Sequence, residues 1–369
     1  MSAADETPDM ERHQNSVMRT PLNSVAVQRR SKNKSYRLSY RNRIGAASRL
    51  GLTPGLTARR LNTSRKAPKS NKITVTTEQL TLLVKTEWKL SYVTPLYRFR
   101  HTQLKIYSRQ LSAFIAAEKQ QGLAVDVEGT QNTFRVSFSL VLGMTESVDD
   151  AVTVHIQIHS KPLFAKQDEP QKPVWSGWLT CINGNPEYLR SLPKDFICLP
   201  LFCSSGAGGL TSLVKSWFQQ SFDCCFGPLE ISHTSLQWLM ALWTNCQSES
   251  SIRQLKMIWT LPVEPQLQVT YTVDAEDAWE LWSSVRKKNT AGEGEENSID
   301  IEEVMSFMQG LKAHFFRHFR LDLSAGSLNE VSTALGSAKH SGMIKFSNSK
   351  YMITTLMLLT ECALLKMPI

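Results

Sequence analysis

A pair of histidines is the feature of this sequence that most suggests chemistry. His314 and His318 stand in the segment HFFRH, at the i, i+4 spacing that lets two imidazoles on one helix face bind zinc. A zinc-protease helix has the pattern His-Glu-x-x-His, because the glutamate activates the metal-bound water. Phe315 occupies the glutamate position here. At about 100° per residue from Val304, Phe315 falls at the centre of a predicted buried stripe and His318 inside it. We therefore predict a packed helix that binds no metal.

The remaining motifs do not form a catalytic set. SSGAGGL at residues 204–210 has the strand-to-helix context of a phosphate loop, but it lacks the Gly-Lys-Ser/Thr ending and the third glycine of GxGxxG, so we predict a turn. His155 and His159 are predicted on the outer face of one strand, about 13 Å apart, which is too far to share a metal ion. The sequence has no GxSxG nucleophile motif. We therefore expect no enzyme activity, no cofactor and no small-molecule ligand.

The positive charge is concentrated in the first fifth of the chain. Residues 1–72 contain 16 Lys and Arg against 4 Asp and Glu, whereas residues 73–369 contain 26 against 29, so the N-terminal region accounts for the whole formal net charge of +9. This region has no Trp or Phe and no sustained apolar period, which predicts a disordered basic tail. Its clusters at 28–37 and 65–72 are of the kind that importins or nucleic-acid phosphates attract. A merely solvating tail fits the same composition.

A second basic group lies at the start of a predicted helix over residues 102–121. Arg98 and Arg100 precede this helix, and Lys105 and Arg109 are one turn apart on its outer side. Four such side chains could hold phosphates as a clamp that does not depend on base sequence. A solvated helix face is an equally good interpretation of the pattern. These four residues are the candidate DNA-binding site.

Clustered strands and clustered helices indicate an α+β fold, with antiparallel sheets and helices packed against them. A Thr-x-x-Gln capping box at Thr76 predicts a first helix that includes Trp88, and Asp274 is predicted to cap a helix over residues 275–287. Alternating apolar residues predict strands at 123–127, 133–141 and 152–158. Because their other positions are polar, these strands are expected to be buried on one face only.

A polar loop at residues 287–298 divides the folded part of the chain. We predict three regions: the tail at 1–72, an α+β lobe at 73–286, and a C-terminal helix-strand-helix region at 299–369 that binds a partner. Within the last region, the segment RLDLS at 320–324 is predicted to be a short strand.

Cysteine usage and targeting signals indicate a protein of the cell interior. The seven cysteines form an odd number without a CxxC pair, which is typical of reduced thiols. The N-terminus has early acidic residues and no apolar signal region. The apolar run at 351–367 is shorter than the about 20 residues that a bilayer requires and carries Glu361 and Lys366, so we expect no membrane span.

The same C-terminal run predicts a helix that is apolar around nearly its whole circumference. Such a helix must be covered on all sides, and near the end of the sequence part of the cover can come from a partner. The neighbouring strand at 343–347 is expected to offer an open backbone edge to a partner's sheet. The candidate partner-binding residues are Ile344, Phe346, Leu356, Leu359 and Leu364.

Several long blocks of the sequence resemble the vertebrate centromere protein L family. They include WKLSYVTPLYRF, YSRQLSAFIAAEKQQGLAVDV, WFQQSFDCCFGPLEI and HFFRHFRLDLSA, and the resemblance covers about residues 78–369. It implies a non-enzymatic subunit of the inner kinetochore, within the constitutive centromere-associated network of the nucleus, that acts in kinetochore assembly and chromosome segregation.

The resemblance also implies partners. These are centromere protein N as the other half of a heterodimer, centromere protein C and other network subunits, and the centromeric nucleosome with its DNA. A different class remains open, namely a stand-alone nucleic-acid-binding chromatin protein that acts through its basic tail. Salt-dependent DNA binding that persists without a protein partner would favour this second class.

Overall fold

The computed structural model describes residues 25–29, 83–121, 134–160, 173–246, 254–286, 299–349 and 351–367. Within these residues the α-helices are α1 Leu104–Gln121, α2 Pro186–Ser191, α3 Gly208–Phe222, α4 His233–Asn245, α5 Ala275–Val285, α6 Ile301–Phe319 and α7 Met352–Lys366. The strands are β1 Val25–Arg29, β2 Glu87–Val93, β3 Leu96–Tyr97, β4 Phe134–Val141, β5 Thr153–Ser160, β6 Trp175–Thr180, β7 Phe196–Ile197, β8 Leu201–Gly206, β9 Phe226–Pro228, β10 Leu255–Leu261, β11 Leu267–Val273, β12 Ser327–Ser332, β13 Gly336–Lys339 and β14 Met343–Phe346.

Nearly all the strands belong to one antiparallel sheet. Its order is β1-β11-β10-β12-β13-β14-β2-β8-β6-β5-β4, with β9 also paired to β2, while β3 and β7 form a separate pair. The C-terminal strands β12, β13 and β14 therefore lie in the middle of the sheet, between β10 and β2. Met343 is opposite Lys89 in this register. Residues of the predicted C-terminal region thus share one sheet with residues of the predicted central lobe.

Helices cover both faces of the sheet and form two hydrophobic clusters. Helices α4, α5, α6 and α7 contribute to the first cluster, and α1 and α3 to the second. Strand β6 shows why the two clusters lie on opposite faces, since successive side chains of a strand point in opposite directions. Trp178 belongs to the first cluster, whereas Trp175 and Leu179 belong to the second. The fold is α+β, as predicted.

Several local predictions agree with the structure. Helix α1 follows a short 3-10 turn at His101–Gln103 and ends at Gln121, as its periodicity predicted. Strands β4 and β5 pair along their full length, from Phe134 opposite Ser160 to Val141 opposite Thr153. Asp274 caps α5 by accepting a hydrogen bond from the Glu276 backbone N–H. These elements carry strong local signals, so the sequence alone was enough to find them.

Two local predictions are wrong. Trp88 lies in strand β2 rather than in a helix, because pairing with β14 and β8 on its two edges fixes an extended conformation that local helical spacing cannot reveal. The segment at 320–324 is not a strand, since Arg320 ends α6 in the left-handed conformation and Leu323–Ala325 form a 3-10 turn. The strand begins only at Ser327.

Four further predictions fall wholly or mostly outside the described residues. The predicted strand at 123–127, the capping box at 76–79 and the polar loop at 287–298 lie outside them, and so does most of the predicted tail at 1–72. Within the tail, the structure describes Val25–Arg29, which pair with β11 from Val25 opposite Tyr271 to Arg29 opposite Leu267. The sequence did not predict this strand.

Candidate functional site

The HFFRH segment forms the last turns of α6 and packs against β11. Phe315 is fully buried and meets the Tyr271 ring edge-on, with ring centroids 4.9 Å apart. The Tyr271 hydroxyl and His314 Nδ1 share a hydrogen bond of 2.6 Å. Burial, with His318 nearby, lowers the pKa of His314, which favours the neutral form of its imidazole. The prediction that Phe315 faces the core is confirmed.

The position predicted for His318 is wrong. Its side chain is exposed rather than inside the buried stripe, although its ring lies 4.5 Å from that of His314. Periodicity gives the direction of a side chain but not where the packing surface ends, and α6 ends one residue later, at Phe319. Among the described residues, no group of three or more His, Cys, Asp or Glu side chains is placed to hold a metal ion.

The prediction for His155 is also wrong, because this residue is buried rather than on an outer face. It lies opposite Trp178 in the ladder between β5 and β6, on the face that packs into the first hydrophobic cluster. Burial lowers the pKa of His155 to about 4. Strand β5 is therefore covered on both faces, which an alternating pattern containing a histidine did not indicate.

The turn predicted at 204–210 is mostly regular structure, because residues 204–206 end β8, residues 208–210 begin α3, and Ala207 alone links them. Gly206 has a φ of 117°, and a Cβ there would lie 2.6 Å from the Val174 carbonyl oxygen, so the turn requires glycine. Ala207 precedes α3 without a side-chain cap. The chain therefore passes from strand to helix in one tight step at Gly206 and Ala207.

The candidate DNA-binding residues surround the beginning of α1. The Arg98 N–H donates to the Asp195 carbonyl oxygen at 2.7 Å, and Arg100 Nη2 donates to the Asp195 carboxylate at 3.1 Å. Lys105 and Arg109 are both exposed along the first turns of the helix. All four residues are exposed around the start of α1, and their role as a DNA-binding group stays a prediction.

The short strand pair β3 and β7 lies next to this basic group in the chain. The pair β3 and β7 places Leu96 opposite Ile197, and the Arg98 guanidinium carbon lies 4.9 Å from the centre of the Tyr97 ring. Among the four predicted side chains, Arg100 alone forms an ion pair with another described residue, Asp195. The sequence missed exposed Lys194, which adjoins Asp195 and adds to the group.

The candidate partner-binding residues are mostly buried within this chain. Ile344, Phe346, Leu356 and Leu359 all belong to the first hydrophobic cluster, whereas Leu364 is half-exposed. The cover that the sequence assigned partly to a partner comes largely from other residues of the chain. Strand β14 also has no open edge, because β13 and β2 pair with its two sides. That expectation is wrong, since strand pairing across the sheet was not visible in the local pattern.

Hydrogen bonds fix α7 against the rest of the fold. The Trp243 indole N–H donates to the Thr355 hydroxyl at 2.9 Å, and the Ile182 N–H donates to the Thr360 hydroxyl at 3.4 Å. The side of α7 that keeps partial exposure carries Ile353, Met357, Leu364 and Leu365, and we call it the α7 stripe. Leu365 is 57% exposed. No helix in the described parts of the chain has the length and apolar character needed to cross a membrane.

Comparison with known proteins identifies the family of this chain. The family model described as centromere protein L matches residues 82–364. The chain belongs to the centromere protein L family. The matched residues include β2, α1, the HFFRH segment and most of α7, so membership in the centromere protein L family rests on the folded part of the chain rather than on the tail.

Individual relatives match over most of their length. Centromere protein L of Danio rerio is 56% identical over 356 residues, which are 96% of this chain and 94% of that protein. The Gallus gallus relative is 41% identical over 85% of this chain and 87% of that protein. Centromere protein L of Homo sapiens is 40% identical over 81% of this chain and 86% of that protein.

Proposed function

We propose that this protein is a non-enzymatic structural subunit of the inner kinetochore, located at the centromere in the nucleus. It pairs with centromere protein N, contacts centromere protein C and other subunits of the centromere-associated network, and helps that network hold centromeric nucleosomes and DNA during chromosome segregation. The observation that carries this proposal is the match to the centromere protein L family over residues 82–364.

The basic group at the start of α1 is the proposed contact with DNA. Arg98, Arg100, Lys105 and Arg109 can neutralise phosphates without reading bases, and this neutralisation releases counterions and makes binding depend on salt. Asp195 supports the role by holding Arg98 through its backbone and Arg100 through its side chain. Arg100 contributes less charge than the others, because its ion pair partly neutralises it.

The C-terminal segment is the proposed contact with centromere protein N. The fully buried members of the predicted set, such as Leu356 and Leu359, act by holding α7 in place. The surface offered to the partner is the α7 stripe, of which Leu364 is the predicted member that keeps exposure. A protein partner can cover such apolar side chains at a helix surface, where each buried CH₂ contributes about 0.8 kcal/mol.

Charge reversal tests the DNA contact. The chain is purified with centromere protein N, and Arg98, Lys105 and Arg109 are each changed to Glu in one variant. We expect weaker DNA binding and a smaller slope of log affinity against log salt concentration. The slope should fall by about 1 for each phosphate contact that is lost. The matched control reverses three exposed basic residues elsewhere, Arg135, Lys256 and Arg317.

The test also separates the proposal from the alternative function. An unchanged salt slope in the first variant would show that the basic group does not contact DNA. The isolated chain could instead bind DNA as strongly as the complex with centromere protein N does, and lose this binding when residues 1–72 are removed. That result would favour a stand-alone nucleic-acid-binding protein. The net charge of +12 in those residues is the observation behind that second candidate.

A further inference from the structure

An acidic side chain stands among the basic residues at the start of α1. Asp195 lies in a short turn, in which the Phe196 N–H donates to the Pro193 carbonyl oxygen at 2.9 Å. Its carboxylate accepts a hydrogen bond from Arg100 Nη2 at 3.1 Å, and the side chains of Arg100 and Asp195 are 50% and 53% exposed. This ion pair is therefore in contact with solvent, within the group of residues proposed to bind DNA.

The backbone is fixed on both sides of the ion pair. The Arg98 N–H donates to the Asp195 carbonyl oxygen at 2.7 Å, and the Arg100 N–H donates to the Tyr107 hydroxyl of α1 at 3.1 Å. Neither of these two hydrogen bonds uses the Asp195 carboxylate. A substitution that changes only this side chain therefore leaves both backbone contacts in place.

The ion pair is weak enough to be exchanged for another anion. Exposed ion pairs shift an equilibrium by only about two- to fivefold, because water screens the charges. A guanidinium has five N–H donors, and Arg100 uses one of its nitrogens, Nη2, in the pair with Asp195. A phosphate oxygen can replace the carboxylate oxygen there, since guanidinium groups bind both kinds of anion.

We propose that the Asp195 carboxylate is a placeholder for a DNA phosphate: it holds Arg100 in the free protein and is exchanged for phosphate when DNA binds. The inference rests on the proposed DNA contact and adds a regulatory residue to it. Asp195 has two opposite effects in this role. Its hydrogen bond orients Arg100, which favours DNA binding, whereas its negative charge competes with the phosphate for the same guanidinium.

Competition is the larger of the two effects. An exposed ion pair orients a long side chain only weakly, so little orientation is lost without it. The negative charge of Asp195, in contrast, has to be separated from Arg100 and then stays beside the phosphates for as long as DNA is bound. The carboxylate therefore lowers the affinity for DNA and the dependence of binding on salt.

Substitutions at position 195 separate the two effects. Asp195→Asn removes the negative charge but keeps a side-chain oxygen that can accept from Arg100, so the orientation is retained. Asp195→Ala removes both the charge and the acceptor. Glu280→Gln is the matched control, because Glu280 is an exposed acidic residue on α5, which packs into the first hydrophobic cluster, whereas α1 packs into the second. Melting temperatures verify that each variant is folded.

The probe is a fluorescent DNA duplex of mixed sequence and about 30 base pairs, and the protein is the full-length chain purified with centromere protein N. We expect Asp195→Asn to bind about two- to fivefold more tightly, with a salt slope that is steeper by up to about 0.9. Asp195→Ala should show the steeper slope with a smaller gain in affinity. Glu280→Gln should change neither quantity.

A cycle with Arg100→Gln tests whether the effect passes through the ion pair. Arg100→Gln should weaken DNA binding less in the wild-type background than in the Asp195→Asn background. The reason is that in the wild type this substitution also removes the ion pair that DNA has to open. Equal losses in the two backgrounds would show that Arg100 and Asp195 act independently, and they would overturn the inference.

The remaining outcomes separate this inference from the proposed function. Unchanged or weaker DNA binding of the Asp195→Asn chain would overturn the placeholder role, and so would an equal gain from Glu280→Gln. The charge-reversal variant of Arg98, Lys105 and Arg109 is measured in the same assay. If it lowers the salt slope while Asp195→Asn has no effect, the DNA contact stands and the placeholder role fails. If neither variant changes the slope, both fail.

Discussion

The indole N–H of Trp243 in α4 donates a 2.9 Å hydrogen bond to the hydroxyl of Thr355 in α7. Both residues are buried, so the bond joins the C-terminal helix to the interior of the fold rather than to its surface. Helix α7 is therefore part of the chain's own core. Its partly exposed stripe is the part that remains for a partner.

Substitutions at Leu359 and Leu365 should separate the two roles of α7, which are packing in the core and contact with a partner. Leu359 is fully buried, so Leu359→Asp leaves a charge in an apolar site and should unfold or severely destabilise the isolated chain. The milder Leu359→Ala should cost about 2–5 kcal/mol of unfolding free energy. Leu365→Asp is the matched control on the exposed side, and it should leave the melting temperature nearly unchanged while weakening pairing with centromere protein N.

Thermal melting of the isolated chain and a pairing assay measure these effects. A Leu359→Asp protein with the wild-type melting temperature would contradict the placement of α7 in the core. Undiminished pairing of the Leu365→Asp chain would remove the α7 stripe from the proposed interface.

Asp150 should be a strong determinant of stability. Its carboxylate accepts hydrogen bonds from four backbone N–H groups: Glu146 and Ser147 in its own loop, and Asn183 and Gly184 after β6. Asp150→Ala leaves these donors without a partner, and we expect a loss of about 2–5 kcal/mol in the free energy of unfolding.

Chemical denaturation of the Asp150→Ala chain measures that loss. Asp149→Ala is the matched control, because Asp149 makes a single ion pair with the exposed Arg190 and should change stability by less than about 1 kcal/mol. Similar losses in the two variants would contradict the role assigned to the Asp150 carboxylate.

His155 should make stability depend on pH. Its pKa is about 4 in the folded chain, because burial disfavours the charged form, and it is 6.5 in the reference state. The unfolded chain therefore binds more protons between these two values, so stability falls as the pH drops from about 6.5 to about 4. The full contribution of this residue is on the order of 3 kcal/mol.

The comparison with His155→Gln isolates this contribution from that of the carboxyl groups, which titrate in both proteins. The stability difference between wild type and variant should be largest above pH 6.5 and shrink towards pH 4. A difference that stays constant over this range would contradict the burial of a neutral His155.

The HFFRH segment should bind no zinc. Phe315 stands where a catalytic glutamate would be, and His314 already shares its Nδ1 hydrogen bond with Tyr271. We expect substoichiometric zinc in the purified chain by elemental analysis, and no further change on His314→Ala. One zinc per chain that is lost in this variant would contradict the prediction.

The sequence predicted those features whose signals are local. Helix α1 has a complete apolar stripe, and Asp274 has the capping geometry that its position suggested. Trp88 shows the limit, because its helical spacing was overridden by pairing with strands that are more than 100 residues away. His318 and Leu359 show a second limit: the direction of a side chain follows from periodicity, but the element that covers it, or fails to cover it, follows only from the packed fold.

Co-purification with centromere protein N tests the central claim most directly. The full-length chain, tagged and expressed in the cell with centromere protein N, is isolated under mild conditions, and the molar ratio of the two proteins is measured by native mass spectrometry. We predict a one-to-one complex that forms with wild type and with the Arg98, Lys105 and Arg109 charge-reversal variant, since that surface is proposed for DNA and not for pairing. Recovery of the wild-type chain as a folded monomer, without centromere protein N, would contradict the proposed function.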